Sequence, residues 1–176
     1  MSRRVERRRV DHCRVDHCGL VVSDLDDAVD FFRTHLGAQV SFGMERFVDP
    51  TGAAPRRLGA ATGSFALTML TLGDARVELL QWWDGDGRPI TDTGTARRPD
   101  RVGAAHLGIV VPDVSAALEP LRSVEAATIL SEPVTFDSAA TPGLTNAFVW
   151  TRFGVLLELM AWPATDDPGG DAGSTD

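Results

Sequence analysis

Lysine and tyrosine are both missing from this chain of 176 residues, whose 17 basic side chains are all arginine. Without lysine there is no Schiff-base nucleophile, and without tyrosine there is no phenolic acid. Proton transfer falls to His, Asp, Glu, Cys or bound water. Only two cysteines are present, Cys13 and Cys18. They are too few for a disulfide scaffold, and they favour a small buried Cys18 and an incidental Cys13 over a reactive thiol or second metal site. No apolar run approaches the roughly 18 residues that a membrane helix needs, so no membrane partner is expected. Acidic residues outnumber basic ones, 25 to 17. The net charge is −8, and this disfavours nucleic acid as a partner. Residues 1–13 read as a flexible basic arm with no apolar segment behind it, so a cytoplasmic location is expected. Residues 164–176 lack an apolar pattern and read as a disordered tail.

What is present is a repeat. His17-Cys-Gly-Leu-Val-Val-Ser-Asp-Leu-Asp-Asp-Ala28 returns 89 residues later as His106-Leu-Gly-Ile-Val-Val-Pro-Asp-Val-Ser-Ala-Ala117, with six of twelve positions identical. Each copy reads as a strand, then a helix capped by Asp24 (or Ser23) or by Asp113. In the first copy Val15 to Val22 is expected as a buried strand. Leu25, Ala28, Val29, Phe32 and Leu36 form one helical stripe, and Gly37 ends it in a left-handed cap. Pro120 should bend or shorten the second helix. The first half then has a strand at Ala38 to Phe42 and a loop over 43–63, with room for a short helix or lid. A hairpin follows, Ser64–Leu72 and Ala75–Trp82 about Gly73-Asp74. The second half has extended pieces near 128–130 and 133–136, and a last hairpin, Asn146–Thr151 and Gly154–Trp162.

The halves also end alike. Glu78-Leu-Leu-Gln-Trp82 matches Glu158-Leu-Met-Ala-Trp162 at an offset of 80, so the first half holds nine extra residues, assigned to the 43–63 loop. The expected organisation is a first βαβββ module over 14–83, a linker over 84–102 and a second module over 103–163. The fold class is α+β: two tandem modules whose curved mixed sheets surround a cleft.

Four residues repeat in kind: His17 and His106 on the first strand, Glu78 and Glu158 on the last. A glutamate among Val and Leu is costly to bury unless it is paired or bound to a metal. Two halves related by a pseudo-twofold would offer two imidazoles and two carboxylates, a set that suits one divalent ion: Zn, Ni, Co, Mn or Fe(II). His12 stands in a near-duplicate of the His17 context, Val-Asp-His-Cys, but only His17 keeps register with His106. His35 reads as a surface residue at the end of its helix. Trp82, Trp83, Trp150 and Trp162 read as core or interface residues before pocket residues. Arg46, Arg56, Arg57 and Arg152 are candidates for a substrate anion, with solvated surface as the ordinary alternative.

These motifs resemble the vicinal oxygen chelate superfamily, which holds glyoxalase I, methylmalonyl-CoA epimerase, extradiol dioxygenases, and fosfomycin and bleomycin resistance proteins. The resemblance spans residues 14–163. It implies a glyoxalase-like metal cleft ligated by His17, Glu78, His106 and Glu158, a small-molecule substrate, and a homodimer. It also implies that Glu158 acts as the base, with Glu78 as its counterpart on the opposite face. The implied activity is a metal-dependent epimerase, isomerase or lyase that removes a proton next to the carbonyl of an α-hydroxy ketone, a cyclitol or sugar ketone, or an acyl-CoA. The rival readings are an Fe(II) dioxygenase and a non-catalytic drug- or metabolite-binding protein.

Overall fold

The structure is a computed structural model that describes residues 14–57, 59, 63–91, 99–100 and 102–163. The basic arm, the tail, His12 and Cys13 lie outside the described residues.

The first half runs β1 (Cys18–Val21), α1 (Leu25–Leu36), β2 (Gln39–Phe47), a short α2 (Ala53–Arg57), β3 (Ser64–Leu72) and β4 (Ala75–Trp83). Its sheet has the order β1-β4-β3-β2, with β1 parallel to β4 and the rest antiparallel. The second half runs β5 (Leu107–Val110), α3 (Val114–Leu118), a 3₁₀ turn (Glu119–Ser123), β6 (Ala127–Ile129), β7 (Val134–Thr135), β8 (Thr145–Thr151) and β9 (Leu156–Ala161). Its order is β5-β9-β8-β6, with β7 also on β8. Each half is therefore βαβββ in outline, and two curved mixed sheets carry few helices, as the α+β expectation requires.

Local chemistry explains the elements. The Asp24 carboxylate accepts from Asp27 N at 3.0 Å, and the Asp113 carboxylate accepts from Ala116 N at 2.7 Å, so both helices start on the expected aspartates. Gly37 closes α1 at φ 71°, a left-handed conformation that favours glycine. α3 stops at Leu118 and tightens into a 3₁₀ turn across Pro120. The proline has no N–H to continue the α ladder.

Leu25, Ala28, Phe31 and Phe32 of α1 bury against Leu70, Val77 and Leu79, while Val114, Leu118 and Leu121 cover Ala147, Val149, Leu157 and Leu159. These form one continuous core. The seam between the halves is the turn after β8. Phe153 is 1% exposed and meets the Phe31 ring edge-on at 5.5 Å. Its carbonyl accepts from Ser23 N at 3.1 Å. Beside it, Arg152 Nε donates to Asp27 at 2.7 Å.

Three expectations need correction. The stretch Val15–Val22 is not a buried strand. The strand is Cys18–Val21, residues 14–19 and Val21 are exposed, and burial begins only at Val22. The reason is position: among the described residues β1 pairs with β4 on one side only. Cys18 is correspondingly exposed rather than buried. Third, β2 extends to Phe47, well into the segment expected as loop.

Candidate metal centre

The last strand of each half meets the first in the same register. Gly19 pairs with Glu78, and Gly108 pairs with Glu158. Side chains alternate along a strand, and residues directly opposite in an antiparallel pair share a face. Glu78 therefore lies on one face with Leu80 and Trp82 of β4, and with Phe65, Leu67 and Met69 of β3. Phe42, Met44 and Phe47 of β2 continue that face. In the second half Glu158 shares its face with Met160, Asn146, Phe148 and Trp150. The opposite faces carry the core, so both glutamates look away from the helices.

His17 and His106 each stand one residue before their strand. His17 Nε2 lies 3.7 Å from Glu78 Oε2, and His106 Nε2 lies 3.2 Å from Glu158 Oε2. Two donors bound to one ion at about 2.1 Å with a tetrahedral angle stand about 3.4 Å apart. Each pair thus fits half of a four-donor set in type and in spacing. Among the described residues no three His, Cys, Asp or Glu side chains gather closely enough to hold an ion. The structure brings His17 to Glu78 and His106 to Glu158, but it does not bring the two pairs into one cluster.

The glycines opposite the glutamates are part of the geometry. A Cβ at position 19 would sit 3.4 Å from Glu78 Oε2 and 3.6 Å from Leu80, so the bare backbone of β1 leaves the carboxylate room to reach His17.

Beyond the pairs the halves differ. His17 Nδ1 donates to the Asp16 carboxylate at 2.9 Å, which turns Nε2 toward Glu78. Asp16 is held in turn by Arg76 Nη1 at 3.1 Å. The hydrogen bond from His17, then the Arg76 charge, lowers the Asp16 carboxyl below the ordinary aspartate range. The matching residue before His106 is Ala105. His106 instead packs against Phe148, ring edge to ring face, at 6.0 Å. On the other side, Asn146 Nδ2 donates to Glu158 Oε1 at 2.6 Å. Sequence reasoning missed both Asp16 and Asn146. The hairpin register was the available signal, since it puts Asn146 opposite Met160 on the face of Glu158.

The other candidates take ordinary places. Arg152 is engaged by Asp27, and Arg56 donates to Thr51 O at 2.9 Å. Arg46 donates to Ser64 at 2.8 Å and lies 4.9 Å over the Trp83 ring. Arg57 is exposed in α2. His35, in the last turn of α1, rests on the Phe31 ring at 5.1 Å. Trp82 and Trp150 are on the glutamate faces, while Trp83 faces the other way and Trp162 follows β9. No helix among the described residues is long and apolar enough to cross a membrane.

Comparison with known proteins identifies the family and the fold. The model of the Glyoxalase/Bleomycin resistance protein/Dioxygenase superfamily matches residues 14–159. A 2-epi-5-epi-valiolone epimerase from Actinomyces sp. is 33% identical over 146 residues, spanning 81% of this chain and 76% of that protein. Among solved structures, a glyoxalase family protein from Bacillus cereus superposes with a TM-score of 0.66 at 21% identity, covering 90% of this chain and 97% of its own. A glyoxalase I variant from Zea mays gives a TM-score of 0.56 at 20% identity, covering 84% of this chain and 44% of its own. At those identities the structural likeness speaks for the fold. The chain belongs to the Glyoxalase/Bleomycin resistance protein/Dioxygenase superfamily.

Proposed function

We propose that the protein is a divalent-metal-dependent epimerase acting next to the carbonyl of a cyclitol ketone, in the class of 2-epi-5-epi-valiolone. The observation that carries the reading is the pair of in-register His–Glu couples, Gly19 opposite Glu78 and Gly108 opposite Glu158. The epimerase from Actinomyces sp. supports the choice of substrate.

His17, Glu78, His106 and Glu158 are the residues that would hold the ion, which supplies Lewis-acid polarisation of the ketone oxygen and so acidifies the neighbouring C–H. The chain itself must take that proton away and return one to the other face. With no lysine or tyrosine in the sequence, the groups at the site able to do so are the two carboxylates and the two imidazoles. Glu78 and Glu158 are side chains of 20% and 14% exposure, shielded yet reachable, and they come from opposite halves. Inversion at carbon requires a proton-transferring group, carboxylate or imidazole, on each side of the substrate. Trp82 and Phe148 lie on the glutamate faces and supply flat apolar surface against which a ring can stack.

The working unit we propose is a homodimer in which the His17–Glu78 couple of one copy faces the His106–Glu158 couple of the other. Val21, Phe42, Phe47, Val110 and Val134 all lie on the glutamate faces and are 43% to 68% exposed. An open apolar face of that extent calls for a cover. Among the described residues both edge strands beside the couples, β1 and β5, are paired on one side only.

The test is incubation of the purified protein with cyclitol ketones in D₂O, with and without a chelator. Metal-dependent deuterium uptake at the carbon beside the carbonyl, under anaerobic conditions, is the expected result. Exchange that survives complete metal removal, or turnover that demands oxygen, overturns it.

A further inference from the structure

The two glutamates are not held alike. Glu158 has one oxygen fixed by the Asn146 amide at 2.6 Å, and its other oxygen is turned to His106 Nε2 at 3.2 Å. Its carboxylate is thereby split in function: Oε1 is occupied, and Oε2 alone faces the donor position. The residue matching Asn146 in the first half is Leu67, since Asn146 lies opposite Met160 and Leu67 lies opposite Leu80, each two residues past its glutamate. Among the described residues no amide or hydroxyl reaches Glu78. His17 Nε2 stands 3.7 Å from it, and Gly19 leaves open the place where an added Cβ would stand 3.4 Å from its Oε2.

A short amide-to-carboxylate bond fixes a side chain with three rotatable torsions. An aliphatic neighbour leaves that chain free to swing on its own χ angles. Asn146 has few alternative duties. It sits half-buried on β8, its backbone is already in the ladders with β7 and β9, and its side chain is directed at Glu158.

We propose that Asn146 is a positioning residue that locks Glu158 as a one-oxygen metal donor. The two carboxylates of the site then divide their work: Glu158 stays in place, and Glu78 is the one that moves as the substrate proton is transferred. This rests on the metal-dependent reading given above. It reverses the family-based expectation that Glu158 carries the proton.

The test uses Co²⁺ binding to the full-length protein, followed by the visible absorption of the bound ion and by calorimetry. In N146L, which copies the Leu67 of the other half, Co²⁺ affinity should fall about 10- to 100-fold, the usual cost of losing an outer partner of a ligand. Apo thermal stability should be little changed. N146Q keeps an amide and should recover part of the loss, and it is the fallback if N146L folds poorly. L67N should leave Co²⁺ affinity undiminished. E78Q should retain bound Co²⁺ better than E158Q while losing more deuterium exchange. N146L and N146Q that bind Co²⁺ within twofold of the parent overturn the positioning role. E78Q losing the ion as fully as E158Q overturns the division of labour. A parent protein that binds no Co²⁺ at all instead removes the metal reading on which both depend.

Discussion

The first half of the molecule braces its histidine; the second braces its glutamate. Asp16 holds His17 where the second half has Ala105, and Asn146 holds Glu158 where the first half has Leu67. The couples themselves match in register. What has diverged is the layer behind them. Symmetry is preserved in the groups that would touch an ion, because the donor set must close, and is relaxed where each group needs only some partner. The frames have diverged too. The outer strand is one nine-residue piece, β2, in the first half, and two short pieces, β6 and β7, in the second. α1 has 12 residues, while α3 has five before Pro120 forces the 3₁₀ turn.

The sharpest way to break this comparison is complementation. A chain carrying H17A and E78Q should lose exchange by about 10²-fold or more, and so should a chain carrying H106A and E158Q. Refolded together, they should recover up to about a quarter of the parental rate. Half of the dimers in a random mixture are mixed, and each mixed C₂ dimer has one intact site of two. No recovery would place both couples of each site in one chain and sink the dimeric arrangement. The next effect is on stability. Phe153 belongs to the second half but is buried against α1 of the first, so F153A should cost about 3–5 kcal/mol, read from denaturant unfolding. A loss below about 1 kcal/mol would mean that the halves are not joined there. The smallest is D16A, which makes the first half resemble the second at its histidine. We expect about a tenfold loss of Co²⁺ affinity by titration, and A105D should not repeat it. An unchanged D16A affinity would show that the brace on His17 is idle.

These particulars also say what the sequence made legible. His17, Glu78, His106 and Glu158 stood out because the chain states each twice, and a repeat exposes whatever its copies share. Asp16 and Asn146 stayed hidden for the same reason, since neither has a counterpart in the other half, where Ala105 and Leu67 stand. The helix caps at Asp24, Gly37 and Asp113 were legible because they depend on a few neighbouring residues. The burial of β1 was not. A run of valine and leucine is written alike for a central strand and for an edge strand, and only the sheet order, β1 on the outside of β4, decides which it is. The reach of β2 to Phe47 was hidden by Gly43 and Arg46, which read as loop. In the fold, that arginine's charge is met by Ser64 and the Trp83 ring.

The parallel pairing of first strand with last sets the order in which the molecule can be built. Gly19 must wait 59 residues for its partner Glu78 (78 − 19), and Gly108 must wait 50 for Glu158 (158 − 108), so each half closes only when its final strand has been synthesised. The antiparallel hairpin β3–β4 needs only its own turn and can form earlier. The seam spans a longer stretch of chain, because Ser23 meets the carbonyl of Phe153, 130 residues on (153 − 23). A ribosome-bound first half can therefore complete its own His–Glu couple before the second half exists. Each couple forms only when the last strand of its half docks on the first, so metal capture would follow the closing of the sheet rather than seed it.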